Sequence, residues 1–401
     1  MATIGWPDLP PELLGDVLSR LPSYLEHVRL RAVCRSWRSS ARTQQPPPLL
    51  PWAALRSGAF LDLAEGALDR LPVPGDDVAH RVSTGRLLFL VRRDGECSLM
   101  DPHSGDATPQ RIEPEYLCNR LQFIDFLLVH PRCSGDTTVP RQISHLVAEN
   151  IRKVVVSDHF VAVLTRRLHT SNNVTIYTRD LRGGTMRMAW MPPPEFPGRA
   201  LDIALFKGKL YILASEVLRR SYELHALDMA TGESVQCIRS STPPTRVDEG
   251  YNRVREVCFY LVRSGDRLLM VEHTIDHMTY QQTYMPSQFE VFEATDLNLG
   301  DGHGRWSEVD TLMGRALFVS RGCSESLPAS GIGAREDCIY FMSERQRLGP
   351  RPRNAITTEL ESGVYNMRDG TTIAQLPLLE TATISSVDGP WSPTWLFPPT
   401  I

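Results

Sequence analysis

The sequence predicts an α+β chain of two unlike parts: a short three-helix module at the N-terminus, followed by a predominantly β domain, a β-propeller of about six or seven blades. Three observations lead there. Helical apolar spacing is confined to residues 9–42. A run of prolines, Pro46-Pro47-Pro48, then interrupts the chain. Beyond it, phrases that read as strand, turn, strand recur along the remaining sequence.

In PPELLGDVLSRL, Leu14, Val17, Leu18 and Leu21 fall at i, i+3, i+4 and i+7, and Leu13 widens the stripe. Pro11 suits a first helical position and Pro22 ends the run. Ser23 and Glu26 have the spacing of a capping box, which predicts a second helix start. From Leu30 onward, Leu30, Val33, Cys34, Trp37 and Ala41 continue one apolar stripe, placing Cys34 and Trp37 on the apolar face. The helical module is assigned to residues 5–42, a proline-rich linker to 43–51 and the β domain to 52–401. Residues 43–84 admit three readings: linker, an extra helix over Trp52 to Ala59, or the first propeller strands.

Three phrases carry the propeller expectation: 85-GRLLFLVRRDGECSLMDPHSG-105, 208-GKLYILASEVLRRSYELHALDMATG-232 and 265-GDRLLMVEHTIDHMTYQQTYMPSQFEVFEATD-296. Weaker echoes are 174-VTIYTRDLRGG-184 and the pair 338-CIYFMSE-344 and 363-GVYNMRDGTTIAQL-376. Trp190 and Trp306 sit where an outer strand often carries an aromatic plug. Antiparallel units of roughly 40 to 50 residues suit blades that hide their faces against one another. An irregular pair of β-sandwiches is the alternative.

Composition narrows the function classes. Of 401 residues, 42 % are hydrophobic and 22 % charged, with a net charge of -4, which argues against a general nucleic-acid or membrane-surface binder. The N-terminus lacks the pattern of a secretory signal and no apolar run approaches eighteen residues, so an intracellular location, nucleus or cytoplasm, is expected, with no membrane contact. The 8 cysteines are scattered without C-x-x-C spacing, and reduced thiols are the default. A sequon at Asn173-Val174-Thr175 matters only in a secreted chain.

Chemistry-bearing motifs are sparse. No phosphate loop, H-E-x-x-H or G-x-S-x-G occurs. Gly331-Ile332-Gly333 lacks the third glycine of a dinucleotide loop, because Glu336 stands in its place. His273 and His277 are spaced to share a helical face, but the surrounding pattern is strand and loop, so no metal and no cofactor is expected. Asp76 with Asp77 and Glu113 with Glu115 read as solvated loops, and Asp101/Gly105 and Asp228/Gly232 as turn chemistry. No catalytic residue is assigned.

Around 33-VCRSWR-38 three readings compete. A reactive Cys34 needs exposure, which its apolar-face position denies. A nucleic-acid grip has in its favour six arginines from Arg20 to Arg42 against the single acid Glu26, with Trp37 as a stacking ring. A protein-docking helix surface has the width of the apolar stripe, which about 35 residues cannot bury alone.

The stretch 9-LPPELLGDVLSRLPSYLEHVRLRAVCRSWRSSA-41 closely resembles an F-box, through L-P-x-E-L-L and R-L-R-x-V-C-R-x-W-R at matching separation. The remainder is similar to plant F-box proteins of the KIB type, on 316-ALFVSRGCSESLPASGIGAREDCIYFMSE-344, 363-GVYNMRDG-370 and 390-PWSPTWLFPP-399. The resemblance implies a non-catalytic substrate receptor of a cullin-RING (SCF-type) ubiquitin ligase. It would dock a Skp-type adaptor, and through it cullin and RING protein, and hold an unidentified target on the β domain. Adaptor contacts carried over by position are Leu9, Pro10, Leu13, Leu14, Val17, Leu18, Leu21, Leu25, Val33, Cys34 and Trp37; Leu30 fits the same stripe and admits two readings, contact or internal packing. Two rivals remain open: a propeller enzyme or carbohydrate-binding protein with a helical appendage, and a nucleic-acid binder using the arginine-rich helix.

Overall fold

A computed structural model of the chain describes residues 6, 9–21, 24–44, 49–55, 58–64, 66–69, 78–92, 97–102, 107–112, 151–165, 174–179, 185–190, 199–216, 221–228, 234–241, 253–278, 287–297, 302–348, 356–374, 376 and 392–398.

Helix α1, Pro11–Arg20, begins where the ring of Pro11 presets φ, and carries Glu12 at its positive end and Arg20 at its negative end. Leu21 is extended and ends it. Helices α2, Tyr24–Val33, and α3, Arg35–Thr43, follow. Ser23 of the expected capping box lies outside the described residues; Glu26 is in the first turn of α2. The apolar stripe predicted to run on through Cys34 is broken there. Cys34 is extended, at φ -156 and ψ 171, and its Sγ accepts the Trp37 N–H at 3.4 Å. Cys34 is therefore the N-cap of α3 rather than a member of a helix face. Spacing alone misses this because a one-residue corner leaves the i, i+3, i+4 count intact.

The β domain opens at once with strands, not with a helix over Trp52 to Ala59. β1 (Trp52–Ala54), β2 (Phe60–Asp62) and β3 (Leu68–Asp69) form most of the first blade. The second is β4 (Val78–Ser83), β5 (Leu88–Arg92), β6 (Cys97–Met100) and β7 (Ala107–Ile112). The third is β8 (Ile151–Val156), β9 (Phe160–Thr165), β10 (Val174–Arg179) and β11 (Thr185–Trp190). These two blades join edge to edge, where β7 and β11 run parallel. The fourth is β12 (Arg199–Phe206), β13 (Lys209–Glu216), β14 (Ser221–Leu227) and β15 (Ser234–Ser241). The fifth is β16 (Arg253–Ser264), β17 (Arg267–Met278), β18 (Gln288–Thr295) and β19 (Arg305–Glu308).

The sixth blade holds β20 (Arg315–Val319), β21 (Ser324–Pro328), β22 (Cys338–Leu348), β23 (Ile356–Asn366) and β24 (Thr371–Ala374), in the order β21-β20-β22-β23-β24. The last strand, β25 (Thr394–Leu396), returns to pair with β1, so chain segments from both ends of the domain build the first blade. The three quoted phrases fall on the middle strands of the second, fourth and fifth blades.

Six blades are formed among the described residues, with β25, β4, β8, β12, β16 and β21 in contact around the centre. Apolar clusters lie between neighbouring blades, and single strands serve two of them. Leu88 and Leu90 of β5 face the first blade, whereas Phe89 and Val91 face the third. A strand buried on both faces needs no polar alternation, which is why these runs read as continuously apolar. Trp395 of β25 is fully buried, donates its indole N–H to Val319 O at 3.0 Å and meets the Phe318 ring edge-on. At the same seam a Cβ on Gly322 would stand 2.8 Å from Thr394 Oγ1, so only glycine allows the strands this close. Trp306 of β19 packs half-buried against the cluster between the fourth and fifth blades.

Candidate functional site

The helical module divides its apolar residues between inside and outside. Leu14 and Leu18 of α1 are buried with Leu30 and Ala41, and Leu9, Leu21 and Trp37 pack partly against them. The Trp37 indole N–H donates to Trp6 O at 2.8 Å, and Gln44 donates to Pro11 O at 3.2 Å. These bonds bring the chain on both sides of the module onto its helices. A third tie comes from a residue that the sequence patterns did not single out. His27 is buried on α2 and donates from Nε2 to Leu21 O at 3.2 Å, satisfying a carbonyl just past the end of α1. Burial holds its pKa below the ordinary 6.5, against the pull of the Leu21 and Leu18 carbonyls, and the neutral ring still carries the required N–H. No spacing rule announces a histidine in this role.

Outward stand Leu13 at 50 % exposure, Val17 at 38 % and Val33 at 62 %, together with exposed Pro10. Leu13 and Val17 are one helical turn apart and form a ridge on α1. Cys34 is half-buried, and the Leu25 side chain lies outside the described residues. Arg20, Arg29, Arg35, Arg38 and Arg42 are exposed on the same helices. The carried-over positions thus separate physically: Leu14 and Leu18 hold the module together, whereas Pro10, Leu13, Val17 and Val33 are free to meet another surface. The three helices close a small core after all, and outside it remain apolar side chains on a surface that carries five exposed arginines as well as the exposed acids Glu12 and Asp16 of α1.

A second polar constellation lies in the propeller's central channel. Lys153 of β8 and Asp202 of β12, both buried, form an ion pair at 2.7 Å. The same Asp202 oxygen accepts the Leu261 N–H of β16 at 2.6 Å, so three inner strands are cross-tied. Beside them is a cavity of about 270 Å³ lined in part by Lys153, Arg263, Arg315, Glu325 and Ser326. Arg315 is fixed by two bonds to Ser326, Nε to Oγ and Nη2 to the carbonyl, each 2.8 Å. Burial raises the Glu325 pKa, opposed by Arg263, Arg86 and Lys153. Among the described residues no histidine lines this cavity and no group of three or more His, Cys, Asp or Glu side chains is arranged for a metal.

His273, one of the two histidines considered as ligands, is instead buried on β17, stacked on Phe289 at 4.2 Å. Its Nε2 meets Ser287 Oγ at 2.9 Å, and that hydroxyl donates to Glu361 at 2.7 Å. The side chain of His277 lies outside the described residues, as do Asp76, Asp77, Glu113 and Glu115. Gly331 and Gly333 have φ of 86° and 75° and shape the turn between β21 and β22. No helix among the described residues is long and apolar enough to cross a membrane.

Comparison with known proteins adds sequence identity to this geometry. The segment of residues 6–45 matches the family described as F-box-like. Over 36 residues the chain is 56 % identical to the F-box protein At2g17690 of Arabidopsis thaliana; the match spans 9 % of this chain and 9 % of that relative. Among solved structures, the N-terminal domain of Nup159 aligns over 82 % of this chain and 79 % of its own, at 12 % identity and a TM-score of 0.29. The computationally designed Ika8 protein aligns over 76 % and 75 %, at 9 % identity and a TM-score of 0.27. At such scores the likeness carries nothing about activity. The family described as KIB1-4 beta-propeller matches residues 60–366, from β2 to the end of β23. The chain therefore belongs to the KIB1-4 beta-propeller family and carries an F-box-like segment ahead of its propeller.

Proposed function

We propose that this protein is the substrate-recognition subunit of a cullin-RING (SCF-type) ubiquitin ligase, docking a Skp-type adaptor through its helical module and holding a target protein on its propeller. The observation that carries the reading is the exposure of Leu13 and Val17 on α1 and of Val33 on α2, in a segment that matches an F-box-like family. Apolar anchors with exposed arginines on the same module suit a partner groove that offers acidic side chains, where charge speeds encounter and buried apolar area supplies affinity. In this role the chain performs no bond chemistry. It holds the target near a conjugating enzyme brought by the RING subunit, and proximity alone is worth several kcal/mol of barrier. The same reading places it in the nucleus or cytoplasm. The nucleic-acid reading loses ground because Trp37 is half-buried and its N–H is engaged, leaving less ring face for a base.

The test is capture of a Skp-type adaptor by the full chain and by Val17→Asp. A carboxylate forced into an apolar contact should cost at least about 2 kcal/mol, roughly 30-fold in affinity. The helical signal should be unchanged, because Val17 is 38 % exposed in the free chain. Leu14→Asp is the poorer probe, since Leu14 is fully buried and a charge there disrupts the module itself. Wild-type chain that captures no adaptor, while an established F-box protein does so in the same assay, would refute the reading.

A further inference from the structure

We propose that the cavity in the propeller's central channel is an anion site, built for a phosphate monoester dianion between Arg263, Arg315 and Lys153. These three cations come from β16, β20 and β8 and line one cavity of about 270 Å³. They are held differently. Lys153 is locked on Asp202, so its charge is already matched. Arg315 is anchored on Ser326 through Nε and Nη2, which fixes the plane of its guanidinium. Ser326 is in turn bonded to Ser264 at 2.9 Å, so the anchor itself is buttressed. Arg263 stands exposed at the mouth, close enough to Arg315 for the two to repel.

The charges do not balance from within. Among the described residues the carboxylate lining the cavity is Glu325, whose Oε1 lies so near Gly85 that a Cβ there would stand 2.8 Å away. It faces Arg263, Arg86 and Lys153, and burial pushes it toward the neutral acid. With Lys153 matched by Asp202, the guanidiniums of Arg263 and Arg315 are left with Glu325 as the lining carboxylate between them and a partly enclosed space. A dianion neutralises both, and the forked donors of arginine match phosphate oxygens two at a time. Arg152, Arg199 and Arg321 stand just before the cavity-lining stretches of β8, β12 and β21, and Arg152 feels the repulsion of the other two.

Glu325 is then the internal competitor of the ligand. It draws on Arg263, Arg86 and Lys153 when the cavity is empty of anion, and an entering phosphate must displace that attraction. This gives two substitutions with opposite expected signs, which a general loss of folding cannot mimic. The inference rests on the propeller alone and stands whether or not the helical module docks an adaptor.

The experiment is calorimetric titration of the full chain with inorganic phosphate against chloride at constant ionic strength. Wild type should bind phosphate saturably, Arg263→Gln at least tenfold more weakly, and Glu325→Gln severalfold more tightly. A second arm compares a phosphoserine pentapeptide flanked by Gly and Ser with its unphosphorylated twin. If the phosphopeptide binds tenfold or more tighter than phosphate, the group arrives on a protein segment. If it binds no better, the occupant is a free small phosphate compound. Absence of saturation in wild type up to about 10 mM phosphate, or equal affinity in all three chains, would overturn the proposal.

Discussion

In the helical module, Leu14 and Leu18 sink into a core of four buried residues while Leu13 and Val17, on the same helix, stay outside. In the propeller, neighbours such as Leu88 and Phe89 are both buried, on opposite faces of one strand, because a blade lies on each side. The difference is one of surface to volume. A segment of about 35 residues has too little interior to hide its apolar side chains, so the surplus is displayed. The propeller consumes both faces of its strands in packing, and polar chemistry is left to the inner strands and their ends. The proposed partner of the module is thus inferred from apolar exposure, and the proposed ligand of the propeller from charges gathered at the inner strands.

The largest expected effect tests whether the two regions stand independently. Trp395→Ala removes a fully buried indole, its bond to Val319 O and its contact with Phe318 at the seam that closes the ring. The expected loss is about 4 kcal/mol, read from the urea midpoint of the propeller transition. Amide exchange should accelerate first in Thr394–Leu396 and Trp52–Ala54, the strands that the seam pairs. Adaptor capture at a temperature where the variant remains folded should be unchanged. A parallel fall in capture would show that the module depends on ring closure.

A smaller effect separates the regions by pH. His80 of β4 is buried, bonds through its ring to Ile151 O at 3.3 Å across to the third blade, and has its pKa pushed down to about 4 by burial, with Arg81 adding repulsion and the Ile151 carbonyl opposing. Above pH 6.5 the ring is neutral in both folded and unfolded chains, and the group adds no pH dependence. Below it the unfolded chain takes up a proton that the folded chain refuses until about pH 4, so stability falls with pH across that window. The accumulated loss is roughly 3 kcal/mol. His80→Gln, which keeps an N–H for Ile151, should remove that part of the slope in urea unfolding measured from pH 7 to pH 4. An unchanged slope would mean that the ring is accessible to protons in the folded propeller.

These contrasts also explain what could be read in advance. The helices are local: Pro11, the i, i+3, i+4 spacing of Leu14, Val17 and Leu18, and the Pro46-Pro47-Pro48 stop lie within one short stretch. The second to fifth blades were legible as repeats because each is a contiguous meander, and the described residues make six blades, within the expected six or seven, once β25 completes the first. In the sixth blade the pair 338–344 and 363–376 was legible and falls on β22 to β24, whereas β20 running parallel to β22 was not. Division of the apolar stripe into inward and outward residues was also hidden, since Leu13 and Leu14 are adjacent and equally hydrophobic. Least visible was the channel. Lys153, Asp202, Leu261 and Glu325 come from four blades, and no spacing rule connects residues that only ring closure brings together.

The smallest effect concerns the corner at which a continuous helix was expected. Cys34 accepts the Trp37 N–H through Sγ at 3.4 Å, a long, weak cap by the standard of a serine oxygen. Cys34→Ala should cost about 0.5 kcal/mol, seen as faster exchange of the Trp37 amide, and Cys34→Ser should recover or exceed the wild-type protection. The position was also assigned to the adaptor surface, and the pair of variants distinguishes the two roles. If Cys34 acts only as a cap, adaptor affinity follows the amide protection, and the serine variant binds as well as wild type. If its side chain lies in the interface, serine places a hydroxyl in an apolar contact and affinity drops while the Trp37 amide stays protected. The two readouts then part company, and the contact set of Leu13, Val17 and Val33 must be extended around the corner to the start of α3.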